Sequence, residues 1–203
     1  MEKLHNLNKS DLIKATNVLA DAFKDDPVWN KAFEHEQDYE NKFKSFFETP
    51  LRYTGKYGTI FSPSKNLEGV ATLIPGKYAD MTIWRMILSG AMVSALRMGS
   101  NASNRLAPLF KQLSQDRKRI MKNRKFNYLL IIGVAIRYQG KGYGKKLLDK
   151  ITEVSDKEGV AVYLETETEK NVPLYEKFGF KVVNKITVPK MDLPMWQMVR
   201  EVN

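Results

Sequence analysis

The stretch FNYLLIIGVAIRYQGKGYGKKLL, residues 126–148, decides how this chain reads. Phe126 to Ile136 is a long apolar run in which Tyr128, Leu130, Ile132 and Val134 alternate, the pattern of a central strand, with Gly133 as an expected bulge. Gln139-Gly140-Lys141-Gly142-Tyr143-Gly144 follows. Residues 143–157 then place Tyr143, Leu147, Leu148, Ile151 and Val154 on one face of a helix that Gly159 ends. Strand, glycine-rich loop and helix make an anion-binding arrangement. Glycines let the backbone take positive φ and approach a ligand closely. Successive N–H groups then converge on an anion, and the helix adds the positive end of its dipole. Lys141, Lys145 and Lys146 contribute formal charge. The implied ligand group is a phosphate or pyrophosphate. A P-loop is excluded, because Gly144-Lys145 is followed by Lys146 rather than a hydroxyl residue and position 139 is Gln. A dinucleotide fingerprint begins at Gly140 and Gly142 but meets Lys145 where its third glycine belongs.

Working outward, Val160 to Glu165 reads as a short strand and residues 171–178 as a short helix closed by Gly179. Phe180 to Val188 and Met195 to Val202 read as further strands. Upstream, residues 10–24 form a helix capped by Ser10 and stopped at Asp25-Asp26-Pro27. Residues 38–54 form another, closed by Gly55, with Pro50 expected to bend it or end it earlier. Tyr57 to Ser62 and Gly69 to Ile74 suggest a hairpin. Residues 81–98 and 104–123 read as two helices joined by a Gly-Ser-Asn-Ala-Ser turn. The first carries Met81, Met86, Met92 and Met98 beside Trp84, a stripe suited to core packing or to an adaptable pocket lining. The second ends in a basic run from Arg117 to Lys125.

Bulk properties narrow the classes. The chain has 203 residues, 43% hydrophobic and 28% charged, the composition of a folded domain. It has no cysteine and only His5 and His35, which excludes disulfides and thiolate metal sites and argues against a histidine-rich metal centre. No metal is expected. The N-terminal MEKLHNLNKSDL lacks a signal peptide's apolar stretch, and Ile83 to Met98 is too short to span a bilayer. A cytoplasmic chain without a membrane partner is the expectation. The net charge of +10 suits a polyanionic partner without choosing among them.

Gln139-x-x-Gly142-x-Gly144 after an apolar strand resembles the Gln/Arg-x-x-Gly-x-Gly/Ala signature of the GNAT family of N-acetyltransferases. Leu174-Tyr175-Glu176-Lys177-Phe178-Gly179-Phe180 resembles that family's second hallmark. The likeness is close over residues 126–188. Weaker matches at Ala22-Phe23-x-Asp25-Asp26-Pro27, Tyr163-Leu164-Glu165-Thr166 and Asn171-Val172-Pro173-Leu174-Tyr175 resemble the branch that includes puromycin N-acetyltransferase. The resemblance implies an α/β fold: a mixed, mostly antiparallel central sheet flanked by helices, with residues 81–123 as a helical insertion before the central cofactor-binding strand. It implies one N-acetyltransferase domain over residues 1–203, with acetyl-CoA as cosubstrate.

Site residues follow from the same likeness. Gln139, Gly140, Lys141, Gly142, Tyr143, Gly144 and Lys145 would hold the pyrophosphate of coenzyme A. Backbone groups of Gly133, Val134 and Ile136 would meet its pantetheine arm and thioester carbonyl. Asn171 either bonds the amide arm or caps the short helix. An amine with a pKa near 10.4 must lose a proton before it attacks, which costs roughly 4–5 kcal/mol at neutral pH. A carboxylate can take that proton; Glu165 is the candidate base, with Glu167, Glu169, Asp25 and Asp26 as alternatives. Tyr175 is the candidate proton donor to the leaving thiolate. The acceptor is expected to be a small amine meeting residues 20–47 and 81–123. A coenzyme A-binding regulator, or nucleic-acid binding by the basic helix, is the competing reading. Against nucleic acid, no aromatic residue interleaves the basic run.

Overall fold

The structure, a computed structural model, describes residues 4–202. Residues 1–3, where the N-terminal stretch read for a leader begins, and residue 203 lie outside the described residues. The elements in chain order are β1 (His5–Asn6), α1 (Leu12–Ala22), α2 (Pro27–Ala32), α3 (Tyr39–Tyr57), β2 (Thr59–Ser62), β3 (Gly69–Pro75), α4 (Ile83–Ser89), α5 (Ala91–Arg97), α6 (Ser100–Met121), β4 (Phe126–Val134), α7 (Tyr143–Glu158), β5 (Ala161–Thr166), α8 (Val172–Glu176), β6 (Phe180–Thr187) and β7 (Pro194–Arg200). Among the described residues one seven-stranded sheet runs β1-β2-β3-β4-β5-β7-β6. Every pairing in it is antiparallel except β4 with β5. The mixed, mostly antiparallel sheet expected from the sequence is therefore the one adopted, and α4 to α6 precede its central strand.

Alternation along the strands sorts the core onto two faces. Val162 and Leu164 of β5 pack with Leu147, Leu148 and Ile151 of α7 and with Tyr175 of α8. Tyr163 and Ala161 turn the other way, toward Tyr53 of α3 and Met121 of α6. On that second face α1, α2, α3 and α6 bury Leu19, Phe33, Phe47 and Leu106 above Ile60 and Val70. Each fully buried aliphatic or aromatic side chain contributes about 1.5–3 kcal/mol. No helix among the described residues is long and apolar enough to cross a membrane.

Several boundaries differ from the sequence reading, each for a local reason. Asn8, not Ser10, caps the first helical turn: its Oδ1 accepts from the Ser10 N–H at 2.8 Å while Asp11 accepts from the Asn8 N–H at 3.0 Å. α3 continues through Pro50 and Gly55 to Tyr57, because Phe43, Phe47, Leu51, Tyr53 and Thr54 keep one buried stripe across the interruption. The helix expected over residues 81–98 is broken at Gly90, whose φ of 73° is left-handed. The turn expected after it shrinks to Gly99, and α6 begins at Ser100. Of the methionine stripe, Met98 lies in the core and Met81 and Met86 pack against the cluster around Tyr53, while Trp84 is exposed. The terminal strand, β7, lies inside the sheet between β5 and β6.

The feature that positions the site is the parting of the parallel pair. β4 and β5 pair only at Phe126↔Ala161, Asn127↔Val162 and Tyr128↔Tyr163. Next to that point β4 carries a bulge. Leu73 faces Leu129 and Thr72 faces Ile131, which leaves Leu130 as the extra residue. The bulge is thus at Leu130 and not at Gly133, which pairs in register with Val70. Gly133 is needed for a different reason: a Cβ there would come within 3.0 Å of the Leu19, Ala22 and Phe23 side chains. The Thr72 hydroxyl, fully buried, accepts from the Ile131 N–H at 3.1 Å and faces the Ile131 carbonyl at 3.4 Å.

Thr72→Val keeps the shape and removes that hydroxyl. Leaving the Ile131 N–H unpaired is expected to destabilise the fold by about 1–3 kcal/mol, measured by urea denaturation. Unchanged stability would mean that the hydroxyl does not hold the bulge.

Candidate active site

Beyond Tyr128 and Tyr163 the opened strands lead into a cleft of about 640 Å³. Its walls are the end of β4 (Ile132 to Val134), the turn into α7 (Tyr138 to Gly140 and Gly142 to Gly144), the connection from β5 to α8 with Glu167, Thr168 and Asn171, and the loop from Asp25 to Pro27. Tyr175 of α8 closes the interior.

One end of the cleft presents the open N-terminus of α7. Gly140 and Gly142 have φ of 73° and 84°, and a Cβ on either would meet nothing within 4 Å. Backbone conformation and open approach, not packing, require glycine here. Gly142 is the N-cap of α7 and supplies no side chain. Lys146 N–H bonds Gly142 O, so the N–H groups of the residues before Lys146 have no acceptor in the helix and point out of its positive end. Gln139 lines the cleft, with its Nε2 given to the Val134 carbonyl at 3.1 Å, which clamps the turn between them. Lys141 and Lys145 are outside the lining. Lys141 stands over the Tyr138 ring at 5.7 Å, and Lys145 pairs with Asp149 at 2.8 Å. Ile136 is also outside it, and its N–H, expected to be free for a ligand, is taken by Asp21 at 2.7 Å.

The other end holds two carboxyl groups. Asp26 is buried and heads α2, accepting from the N–H groups of Val28 at 3.0 Å and Trp29 at 3.2 Å. Glu167 accepts from the Trp29 indole N–H at 3.0 Å. Burial, then the charge of Asp26, pushes Glu167 up to about 8. Burial raises Asp26 as well, against the two helix N–H groups that favour its ionised form. Glu167 is the member of the pair raised far enough to hold a proton at neutral pH. Tyr175 has its ring against Phe180 and its hydroxyl held above the ordinary phenol range by burial and then by Glu167. Asn171 lines the cleft with Nδ2 3.4 Å from Thr166 Oγ1, and its side chain makes no cap bond to α8.

Glu165 is elsewhere. It shares the face of Tyr163, accepts from the Tyr128 hydroxyl at 2.6 Å, and faces Arg117 at 3.4 Å. The Arg117 guanidinium also bonds Asp80 at 3.1 Å and stacks on Tyr128. The base expected at Glu165 is therefore a buried structural carboxylate, raised by burial and partly restored by Arg117. The same cluster removes Arg117 from the basic run, whose Lys118, Arg119 and Arg124 pair with Asp80, Asp116 and Glu201. α2 and its Trp29 are absent from the sequence reading, although Asp26-Pro27, an N-cap residue followed by proline at the first helical position, is a helix-start signal.

A sequence profile of the acetyltransferase (GNAT) domain matches residues 115–182. An uncharacterized N-acetyltransferase of Schizosaccharomyces pombe is 31% identical over 199 residues, spanning 94% of this chain and 80% of that one. Among solved structures, a histone acetyltransferase HPA2 and related acetyltransferase from Corynebacterium glutamicum superposes with a TM-score of 0.70 at 17% identity, over 99% of this chain and 96% of that one. Arylalkylamine N-acetyltransferase 2 from Aedes aegypti does so with a TM-score of 0.63 at 17% identity, over 99% of each chain.

The raised Glu167 carries a stability signature. Between about pH 4.5 and pH 8 the folded chain holds a proton that the unfolded glutamate has released, so this group makes stability fall as pH rises across that window. Glu167→Gln removes that contribution. Urea midpoints at the two ends of the window should differ more for the wild type than for the variant; equal slopes would show that Glu167 is ionised at neutral pH.

Proposed function

Because the chain belongs to the GNAT family of N-acetyltransferases, and is an acyltransferase by that membership, we propose that it acetylates the primary amine of a small molecule with acetyl-CoA as donor. The observation that carries this reading is the two-ended cleft: open helix N–H groups at one end and the Asp26–Glu167 carboxyl pair at the other, joined by the strand edge that β5 leaves free. The end with the open N–H groups fits the donor, and the carboxyl end fits the amine. Gly140, Gly142, Tyr143 and Gly144 would hold its pyrophosphate, while Val134 and Asn171 would meet the amide arm. Bound acetyl-CoA supplies a thioester-activated acetyl group.

The chain's own residues supply the proton handling. Glu167, once ionised, takes the proton of the incoming ammonium, and its value of about 8 keeps it close to the working pH. Asp26 heads α2, and the N–H groups of Val28 and Trp29 favour its ionised form beside the amine. The Tyr175 hydroxyl keeps its own proton at physiological pH. A thiol's ordinary pKa near 8.5 lies below that of Tyr175, so the tyrosine donates a hydrogen bond to the leaving sulfur rather than surrendering the proton.

Apolar surface adjoins the carboxyl pair. Trp29, bonded to Glu167, packs on Phe46 at 4.8 Å, and Phe46 stacks on Phe110 of α6 at 6.5 Å. This row suits an amine with an apolar body, and Phe110 is the residue of the 81–123 segment that it includes. The puromycin-type likeness is not needed for this reading.

Calorimetric titration with acetyl-CoA should give micromolar binding that Gly142→Trp abolishes. Absence of binding by the wild type would overturn the donor, and normal binding by the variant would overturn its site. With small aromatic and aliphatic amines, acetylation should rise as pH passes about 8, and Glu167→Gln should lower it by ~10²-fold or more. Binding without turnover on any amine would favour a coenzyme A-dependent regulator. Tyr175→Phe should keep donor binding and lower turnover; unchanged turnover would leave Tyr175 as a packing residue.

A further inference from the structure

α4 and α5 leave a cluster of large apolar side chains in solvent. Ile83 and Trp84 are each 71% exposed, Ile87 47% and Leu88 54%; on α5 Val93 is 58% exposed and Leu96 73%. The four on α4 recur at the spacing of one helical face, while Met86 packs inward and Ala91 and Ser94 bury the opposite side of α5. The two helices touch each other, and both lean on α3. Scattered exposed apolar residues need no explanation, but a cluster of this kind marks an interaction surface.

Charge selects the partner. The 35 residues from Met81 to Gln115 contain Arg85, Arg97, Arg105 and Lys111 and no acidic residue, in a chain with 23 of them. Other cations adjoin both ends of α5. The Arg52 guanidinium is 3.9 Å from where a Cβ on Gly90 would stand, and the Lys42 ammonium is 3.5 Å from that of Gly99. Two carboxylates pair with these cations, Glu48 with Arg52 at 2.6 Å and Arg97 at 3.4 Å and Glu36 with Lys42 at 2.7 Å, and the three cations to two carboxylates leave a positive excess. A second copy of the chain, docked about a two-fold axis, would bring together two faces of the same positive sign. An anionic lipid surface offers both complements, headgroups for the cations and acyl chains for Trp84 and its neighbours.

We propose that the α4–α5 surface docks on an anionic bilayer. The contact is interfacial: each helix has seven residues, and no described helix can cross a membrane. The proposal departs to that extent from the sequence-based expectation of no membrane partner. The inference is independent of the acetyl-transfer reading.

The test is flotation of the full chain with phosphatidylcholine vesicles and with vesicles in which about one third of the lipid is phosphatidylserine. The protein should float with the anionic vesicles. Binding should fall by at least ~10-fold on neutral vesicles and in high salt. Trp84→Ser, Leu88→Ser and Leu96→Ser combined should abolish flotation and leave acetyl-CoA binding and thermal unfolding unchanged. Flotation that survives the triple substitution would overturn this surface as the site. No flotation of the wild type would overturn the proposal; a dimer in sedimentation that the same substitutions dissociate would then give the face to a second copy.

Discussion

The parting of β4 from β5 beyond Tyr128 governs where everything else can stand. A parallel pair that stayed in register would bury its backbone groups in ladder bonds and close the wedge. Here the ladder ends after three residue pairs, and the bulge at Leu130 turns β4 aside. Thr72 makes the bulge tolerable by accepting from the Ile131 N–H. The freed strand edge, the N-terminus of α7 and the base of α8 then surround one cleft, and Gly133 lets α1 approach the same strand from behind.

The acid end of the cleft shows how one residue can serve structure and chemistry together. Asp26 is tied to α2 by two backbone N–H groups, which stabilise its charge despite burial. That fixed charge helps to raise Glu167. An isolated buried glutamate would also be raised, but burial alone sets no direction for the proton. The Trp29 indole, donating to Glu167, orients the carboxyl and ties α2 to the end of β5. Two carboxyls in one site thus differ in role because one is capped by a helix and the other is not.

Much of this was legible in the sequence. The strand, loop and helix over residues 126–158 leave signals of three kinds that agree: alternation, glycine spacing and a helical apolar face. The harder features depended on register. Whether Gly133 or Leu130 is the bulge depends on what faces each across β3, and neither residue reveals that alone. Glu165 and Glu167 are two residues apart, yet the first points toward Arg117 within the strand and the second lies past the strand's end in the cleft. Period-two alternation predicts the same face for both, and the difference arises because the strand stops at Thr166. Pro50 and Gly55 are local breakers overruled by the buried stripe of α3, whereas Gly90 is a local breaker that prevails where α4 and α5 are largely exposed.

The two ends of the cleft differ in legibility for a physical reason. Binding a pyrophosphate with backbone N–H groups requires left-handed residues before a helix, and few residue types satisfy that. For the proposed donor site the requirement writes itself into the sequence as Gly140 and Gly142, the two left-handed residues before α7. Recognising an amine requires only a carboxyl and apolar surface, which many folds assemble from distant segments. Asp26 with Trp29, Phe46, Phe110 and Glu167 come from four separate stretches, and nothing in the sequence ties those stretches together. On the proposed function, donor recognition can be read along the chain, while acceptor recognition has to be read across it.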